Sequence, residues 1–418
     1  MRITLVISTL TIGGAQRVMS LMANYWAAQG HDVTLVSLSP QSCDWFPTHH
    51  LVKRVSLNLL SNSAHLGQAL CQNALRVLRL RDQLRRLRPD VVISFMDTTN
   101  VLTILASRGL SIPVIISERT NPRRRAIGLA WSTLRSFLYR RADALVVQSS
   151  AVRDWAREIG VSARVDIIPN PINPEFNGSA KEAGRRRSGH TVVAMGRLVR
   201  TKGFDLLVEA FARCAGQHPE WSLVILGEGE ERSNLESLIV AKGLQDRVQL
   251  AGQVARPSHI LGQADLFVLS SRFEGFPNAL MEAMACKLAV ISTDCPNGPR
   301  DIVRDGVDGL LIPPDDVNAL AKGMDRLMAN PVERQRLGAG AMEVVERFSL
   351  EKIMSMWGEL VTHTCRRGMC ADGYSRASKT AGARAIEEGV QASDPKTCSG
   401  ELGCNELVFE KEDTSRRS

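Results

Sequence analysis

Two stretches of the sequence carry residue types suited to handling a phosphorylated sugar or nucleotide. The first is Ser270-Ser-Arg-Phe-Glu-Gly-Phe-Pro-Asn-Ala-Leu-Met-Glu-Ala-Met284, where Glu274 and Glu282 stand eight residues apart. On one continuous helix, at ~100° per residue, they would be offset by ~80° and would not share a face. Gly275 and Pro277 interrupt that helix, and Asn278 reads as its N-cap. Glu274 is then expected in a loop and Glu282 in or near the first helical turn. Both carboxylates would address a ligand at the helix mouth, whose free N–H groups suit anions and sugar hydroxyls.

The second stretch is Met195-Gly-Arg-Leu-Val-Arg-Thr-Lys-Gly-Phe-Asp-Leu-Leu-Val-Glu-Ala-Phe211. Arg197 and Lys202 lie in a turn before a helix that starts near Phe204. Two cations and the helix N–H groups are what a diphosphate needs, with no metal ion. A glycine pair, Gly13 and Gly14 in Thr11-Ile-Gly-Gly-Ala-Gln-Arg17, follows the first strand and allows backbone to approach phosphate. The complete G-x-G-x-x-G pattern of a dinucleotide site is absent. Ile116-Ser-Glu-Arg-Thr-Asn-Pro122 places Glu118 and Arg119 after another strand.

A basic amphipathic helix is predicted over Leu75–Arg88. Val77, Leu80, Leu84 and Leu87 form its apolar stripe, while Arg81, Arg85 and Arg88 share another face. Arg123-Arg-Arg125 adds a second cluster. These groups fit anionic lipid headgroups or an acceptor's pyrophosphate. Nucleic acid is a poorer partner, because aromatic residues are only 5% and none interleave these arginines.

Short β-branched runs separated by helical patterns supply the framework. They are Ile3–Ser8, Val33–Leu38, Val91–Phe95, Val114–Ser117, Ala144–Gln148 and Val165–Ile168, then Thr191–Met195, Ser222–Leu226, Val248–Ala251, Leu266–Leu269, Ala289–Ser292 and Leu310–Ile312. Near-continuous apolar runs alternating with helices indicate parallel strands buried on both faces, here in two doubly wound α/β domains. The first domain is expected over 1–170 and the second over 188–340. Pro169-Asn-Pro-Ile-Asn-Pro174 and the basic stretch to Arg187 read as a linker without core, because proline forbids helix there. A last helix is expected from Ala341 to about Thr362. Residues 365–418 hold few large apolar side chains and are expected to stay disordered.

No apolar run approaches the ~18–20 residues of a membrane span, and the N-terminus reads as a buried strand rather than a signal peptide. Nine irregularly spaced cysteines imply reduced thiols and a cytoplasmic chain. Cys365, Cys370, Cys398 and Cys404 match zinc spacing poorly, and no metal or cofactor is expected. Charge is uneven: residues 1–188 carry a net +13 and the remainder −5, so the first domain should face something anionic, such as the inner face of the plasma membrane.

The Glu274–Met284 segment resembles the donor-sugar signature of retaining glycosyltransferases of family four, a group with the GT-B fold, in which two Rossmann-like domains face each other across a cleft. The Gly-Arg…Lys-Gly element resembles that family's diphosphate-holding turn. Leu226-Gly-Glu-Gly-Glu-Glu231, with Glu228, resembles its turn near the nucleotide base. Ile168-Pro-Asn-Pro-Ile172 resembles its interdomain segment, with Pro171 in place of glycine, and Arg347-Phe-Ser-Leu-Glu351 the start of its returning helix. The resemblance covers roughly residues 1–362. It implies that Glu274, Arg197 and Lys202 carry the chemistry and that Gly275, Phe276, Pro277, Asn278, Ala279 and Leu280 line the donor site. Glu282 would hold the ribose. It also implies retention of configuration and a UDP-sugar donor, and the charge asymmetry adds a polyprenyl-diphosphate-linked or polysaccharide acceptor. Many members place a histidine where this chain has Glu118 and Arg119. The Ser-Glu-Arg form is common among members that build bacterial surface polysaccharides.

Two other classes compete. A nucleotide-binding epimerase or oxidoreductase would need an acidic residue after the second strand, where this chain has Ser39-Pro40. A non-catalytic protein binding membrane or nucleic acid would leave the Glu274 and Arg197 motifs without a purpose.

Overall fold

The computed structural model of the chain describes residues 1–60, 65–123, 127–161, 163–176 and 189–366. The expectations for the basic stretch up to Arg187, for Arg124 and Arg125, and for the tail from residue 367 lie outside these residues.

The first lobe holds β1 (Arg2–Ile7), β2 (Asp32–Ser37), β3 (Lys53–Ser56), β4 (Val91–Phe95), β5 (Val114–Ser117), β6 (Ala144–Val147) and β7 (Arg164–Ile167). They form one parallel sheet in the order β3-β2-β1-β4-β5-β6-β7. The second lobe holds β8 (His190–Met195), β9 (Trp221–Leu226), β10 (Val248–Gly252), β11 (Leu266–Leu269), β12 (Ala289–Thr293) and β13 (Leu310–Ile312), in the order β10-β9-β8-β11-β12-β13. Both sheets are doubly wound as expected. Central strands such as β4 and β11 bury every residue, which is why their sequences lack polar alternation. In each sheet the strand order reverses beside the first strand. The crevice at such a switch point is where ligands of open α/β sheets bind. The loops after β1, β8 and β11 carry the Gly13, Arg197 and Glu274 motifs to that crevice.

All twelve expected strands are present to within a residue or so. The one the sequence reading missed is β3, a half-buried edge strand of sequence Lys-Arg-Val-Ser, whose charged residues hide its pairing with β2. The interdomain segment is a second correction. Ile168, Asn170, Ile172 and Phe176 are all buried, and the Ile172 amide donates to the Phe348 carbonyl at 2.9 Å. Proline does exclude helix there, but the intervening side chains enter the core. Third, the last helix begins later than expected. Helices Pro331–Ala341 and Val344–Arg347 are separate, and the returning helix covers residues 350–366. Ser349 starts it, its hydroxyl accepting from the Lys352 amide at 3.2 Å. That helix buries Trp357 against Phe95 of β4, with ring centroids 6.0 Å apart. Among the described residues Cys43, Cys71, Cys214, Cys286, Cys295 and Cys365 are free thiols.

Candidate functional site

Glu274 follows β11 in a loop, as expected, and is 7% exposed. Its Oε1 accepts from Lys202 Nζ at 2.5 Å and from the Ser271 hydroxyl at 2.6 Å. Two cationic or hydroxyl donors on one oxygen fix the carboxylate's orientation. Ser271 is held in turn, since Thr293 Oγ1 donates to its carbonyl at 2.5 Å. The Lys202 stem runs beside Gly196, and Arg197 is exposed on the same loop. Arg197 makes no side-chain hydrogen bond or ion pair among the described residues, so its charge is open to a ligand. Burial pushes the nearby Cys295 thiol up to about 12, with Glu274 adding to the shift, so it is not a nucleophile at neutral pH.

Backbone contacts stitch these loops together. Gly196 donates to Leu226, and Leu198 to Glu228, joining the turn after β8 to the Gly-Glu-Gly turn after β9. Side chains at Gly227 and Gly229 would run into the carbonyls of Gly196 and Leu198. The Ser270 hydroxyl donates to the Lys202 carbonyl at 3.0 Å, tying the Arg197 loop to the Glu274 loop. Gly203, at φ 64°, could bear no Cβ without striking the Ser270 carbonyl. Glu228 itself sits on the rim, bonded to Arg232 at 2.6 Å.

The helix after this loop is Asn278–Ala285, and Glu282 is its fifth residue, just past the first turn. Pro277 takes the N-cap position, so Asn278 is the first helical residue rather than the cap. Its side chain instead spans the lobes: Asn170 Nδ2 donates to Asn278 Oδ1 at 2.6 Å, and Asn278 Nδ2 to the Gly14 carbonyl at 3.4 Å. Phe276 packs edge-on against Phe348, with centroids 5.7 Å apart, and Leu280 is fully buried. Pro277 and Ala279 lie between these anchors, and Gly275 directly precedes them.

Glu282 is 3% exposed, and its Oε1 forms an ion pair with Arg17, one turn into the helix Gly14–Ala28 that Gly13 opens. Its other oxygen, Oε2, is buried with no hydrogen-bond partner. A buried carboxylate oxygen without a donor is costly, and a ligand hydroxyl would satisfy it. Arg17 closes the glycine-loop segment, and nothing local in the sequence marks it for this role, because its partner is 265 residues away.

Glu118 and Arg119 face inward. Tyr139 donates to Glu118 Oε2 at 2.8 Å and Thr120 to Oε1 at 3.3 Å. Burial first, and then the Asp97 carboxylate, push Glu118 up to about 7 against the pull of Arg135 and Tyr139. Arg119 lies over the Phe95 ring, 3.6 Å from its centroid, and donates to Asn170 Oδ1 at 2.6 Å. Burial lowers its affinity for the proton. Its backbone reaches the donor loop, for a Cβ on Gly275 would stand 2.6 Å from the Arg119 carbonyl oxygen.

On the arginine face of the helix Leu66–Leu87, one of the three arginines is partly engaged within the fold. Arg81 donates to the Ala106 carbonyl at 3.0 Å and the Arg108 carbonyl at 2.6 Å, closing the end of the helix Asp97–Ser107. Arg85 is exposed, and Arg88 is the left-handed C-cap. All three lie near the end of the helix that leads into the amino end of β4, away from the crevice. Among the described residues no helix is long and apolar enough to cross a membrane.

Residues 12–176 match the family model described as Glycosyltransferase Family 4, and residues 179–344 the one described as Glycosyl transferases group 1. An exopolysaccharide phosphotransferase of Streptomyces coelicolor is 31% identical over 82% of this chain, which spans 36% of that protein. A Campylobacter jejuni α-1,4-N-acetyl-D-galactosaminyltransferase, named for a GalNAc-extended diNAcBac-PP-undecaprenol, is 29% identical, covering 86% of this chain and 98% of its own. The solved structure of Anabaena HepE in complex with UDP superposes with a TM-score of 0.69 at 18% identity, over 87% of this chain and all of that one.

Proposed function

The chain belongs to glycosyltransferase family 4, and from that premise we propose that it transfers a hexose or N-acetylhexosamine from a nucleotide diphosphate, UDP by preference, with retention of configuration. The acceptor in this reading is a growing surface polysaccharide or a polyprenyl-diphosphate-linked oligosaccharide on the cytoplasmic side of a membrane. The Campylobacter relative, named for an undecaprenol-linked acceptor, supports the acceptor class, and the HepE complex supports the base. The observation that carries the reading is the Lys202–Glu274–Ser271 cluster at the carboxyl end of β11.

Breaking the anomeric C–O bond leaves positive charge on the sugar and negative charge on the departing diphosphate. Arg197, Lys202 and the free N–H groups at the start of the helix Phe204–Cys214 would hold that diphosphate. Two prearranged side-chain cations neutralise it without a metal ion. Glu274, its geometry set by Ser271, would orient the sugar hydroxyls and stabilise the cationic centre. The free Oε2 of Glu282 would accept from a ribose hydroxyl. The acceptor hydroxyl enters from the first lobe on the face the diphosphate leaves, and its proton passes to the departing phosphate oxygen. No covalent sugar–enzyme bond is required.

The test is donor consumption. Purified protein is incubated in EDTA with a panel of nucleotide sugars, with and without membrane lipid extract, and free nucleoside diphosphate is measured. Consumption of one donor, stimulated by extract and abolished in both Glu274→Ala and Lys202→Ala, supports the proposal. Wild-type behaviour of both variants, or no turnover with any acceptor, defeats it.

A further inference from the structure

Of the chain's six tryptophans, five are at least partly buried and Trp45 is exposed, with 46% of its surface open to solvent. It lies in the segment that leaves the carboxyl end of β2. β1 and β2 run parallel and in register from Arg2 and Asp32 to Ile7 and Ser37, so the loops that follow them emerge side by side. The Trp45 amide donates to the Leu10 carbonyl at 3.0 Å, three residues before Gly13. Ile12, on that same loop, is exposed as well. The loop faces the second lobe directly, because the Gly14 carbonyl accepts from Asn278. Trp45 thus stands on the first-lobe side of the crevice.

The segment is held on both sides of the indole. Asp44 Oδ2 accepts from Arg54 of β3 at 2.9 and 2.7 Å, and the Arg54 side chain is only 6% exposed. Phe46 packs beside Arg17, whose guanidinium carbon lies 5.6 Å from the ring centroid. The Pro47 carbonyl accepts from Ser20 at 2.9 Å and Asn24 at 3.2 Å, both on the helix Gly14–Ala28. Much of the ordering cost of a contact at Trp45 is therefore met before any ligand arrives. Arg17 also pairs with Glu282, so the neighbour of Trp45 rests against the arginine that reaches the second lobe.

Charge selects the ligand. Besides two histidines, residues 8–14 and 38–51 hold no basic residue and a single carboxylate, Asp44, in a first lobe that is otherwise strongly basic. Arg54 neutralises Asp44. An anionic ligand finds no free cation in these loops. They offer instead an aromatic face with uncharged hydrogen-bonding groups, Thr11, Gln41 and Ser42 being exposed. Asp44 Oδ1 is buried without a hydrogen-bond partner, and a sugar hydroxyl would satisfy it. A pyranose has a face of weakly positive C–H groups, which the negative face of an indole complements. Its rim of hydroxyls suits the polar groups.

We propose that Trp45 is a carbohydrate platform on which a sugar ring of the acceptor stacks. An acceptor held in this way already carries sugar, so the enzyme extends a chain, and a glycosyl transfer onto the bare carrier must precede its own. Assigning the ring to the acceptor rests on the proposed function; sugar binding at Trp45 does not.

In the experiment, mild acid frees the water-soluble oligosaccharides of a membrane lipid extract, and these are titrated into the full chain by calorimetry. Wild type is expected to bind them, and Trp45→Ala to bind them about tenfold more weakly or worse. Trp45→Phe should fall between, since a smaller aromatic face remains. The side chain is exposed, so neither variant should shift the unfolding midpoint. In donor turnover, Trp45→Ala should raise the extract concentration for half-maximal stimulation about tenfold, with a smaller effect on the rate at saturation. Polyprenyl phosphate in detergent micelles, which carries no sugar, should not distinguish wild type from Trp45→Ala. The proposal is overturned if wild type binds no released oligosaccharide, or if Trp45→Ala binds it as tightly. It is equally overturned if the defect extends to the sugar-free carrier or accompanies a change of oligomeric state. Oligosaccharide binding that depends on Trp45, without turnover of any nucleotide sugar, upholds the platform and removes the transferase reading. Turnover with oligosaccharide binding indifferent to Trp45 does the reverse.

Discussion

Arg17 of the first lobe and Glu282 of the second form an ion pair across the lobe boundary, in a setting where the glutamate is almost fully buried. Removing one member of such a pair leaves an uncompensated charge, at a typical cost of ~3–5 kcal/mol. Arg17→Ala is therefore expected to destabilise the protein more than Arg17→Ala/Glu282→Gln, in which both charges are gone. Denaturant unfolding of both single variants and the double variant measures the coupling. Strict additivity would mean that the pair does not form in solution.

Gly275→Ala should be far more damaging than an exposed glycine substitution. The new methyl would stand 2.6 Å from the Arg119 carbonyl, which is main chain and cannot swing aside. The lobes must part slightly, and misplacement of about 1 Å can cost ~10²-fold in rate. Donor turnover should fall ~10–100-fold with a smaller change in UDP affinity. Comparing kcat with UDP affinity by calorimetry checks this.

Ser271→Ala removes one of two donors on Glu274 Oε1 while leaving Lys202 in place. A hydrogen bond to a charged group contributes ~1.5–3 kcal/mol. Turnover should drop ~10–100-fold, less than in Lys202→Ala, where ~10²–10³-fold is expected. Steady-state rates of the two variants on one donor decide the order.

The pH dependence of stability should carry the mark of Glu118. Its carboxyl is raised in the folded protein from 4.5 to about 7, so the folded state binds more protons than the unfolded state between those values. This group's contribution is most favourable below about pH 4.5 and declines as pH rises through about 7, by up to roughly 3 kcal/mol at ~1.4 kcal/mol per unit. Glu118→Gln keeps an oxygen for Tyr139 and cannot ionise. Its stability relative to wild type should rise between about pH 5 and about pH 8, as measured by thermal unfolding. A flat difference would mean that Glu118 does not titrate in that range.

Much of the framework was legible because buried parallel strands write themselves as apolar runs, and the loops after β8 and β11 hold the Arg197–Lys202 and Glu274 motifs where those runs predict. Local chemistry was less reliable where a distant partner intervened. Asn278 has the side chain of an N-cap, yet the helix starts one residue earlier than that role requires and the side chain bonds to Asn170 and Gly14 across the lobes. Arg81 lies on the arginine face of its helix, yet its Nη1 is turned onto carbonyls at the end of the next helix. The burial of Glu118 under Tyr139 likewise depends on a contact 21 residues away. Ser271 was available in the motif itself, two positions after β11 and three before Glu274, and its hydroxyl was the signal overlooked.

The helix over residues 350–366 places Trp357, Leu360 and Val361 in the core that also contains Phe95 and Ile93 of β4. The lobe synthesised first thus lacks part of its interior until the second lobe has already left the ribosome. The partly made protein must hold an unfilled apolar groove throughout that interval, an opening for chaperone capture or for aggregation. Translation and closure of the first lobe are in this sense out of order: the earliest strands wait for the latest helix.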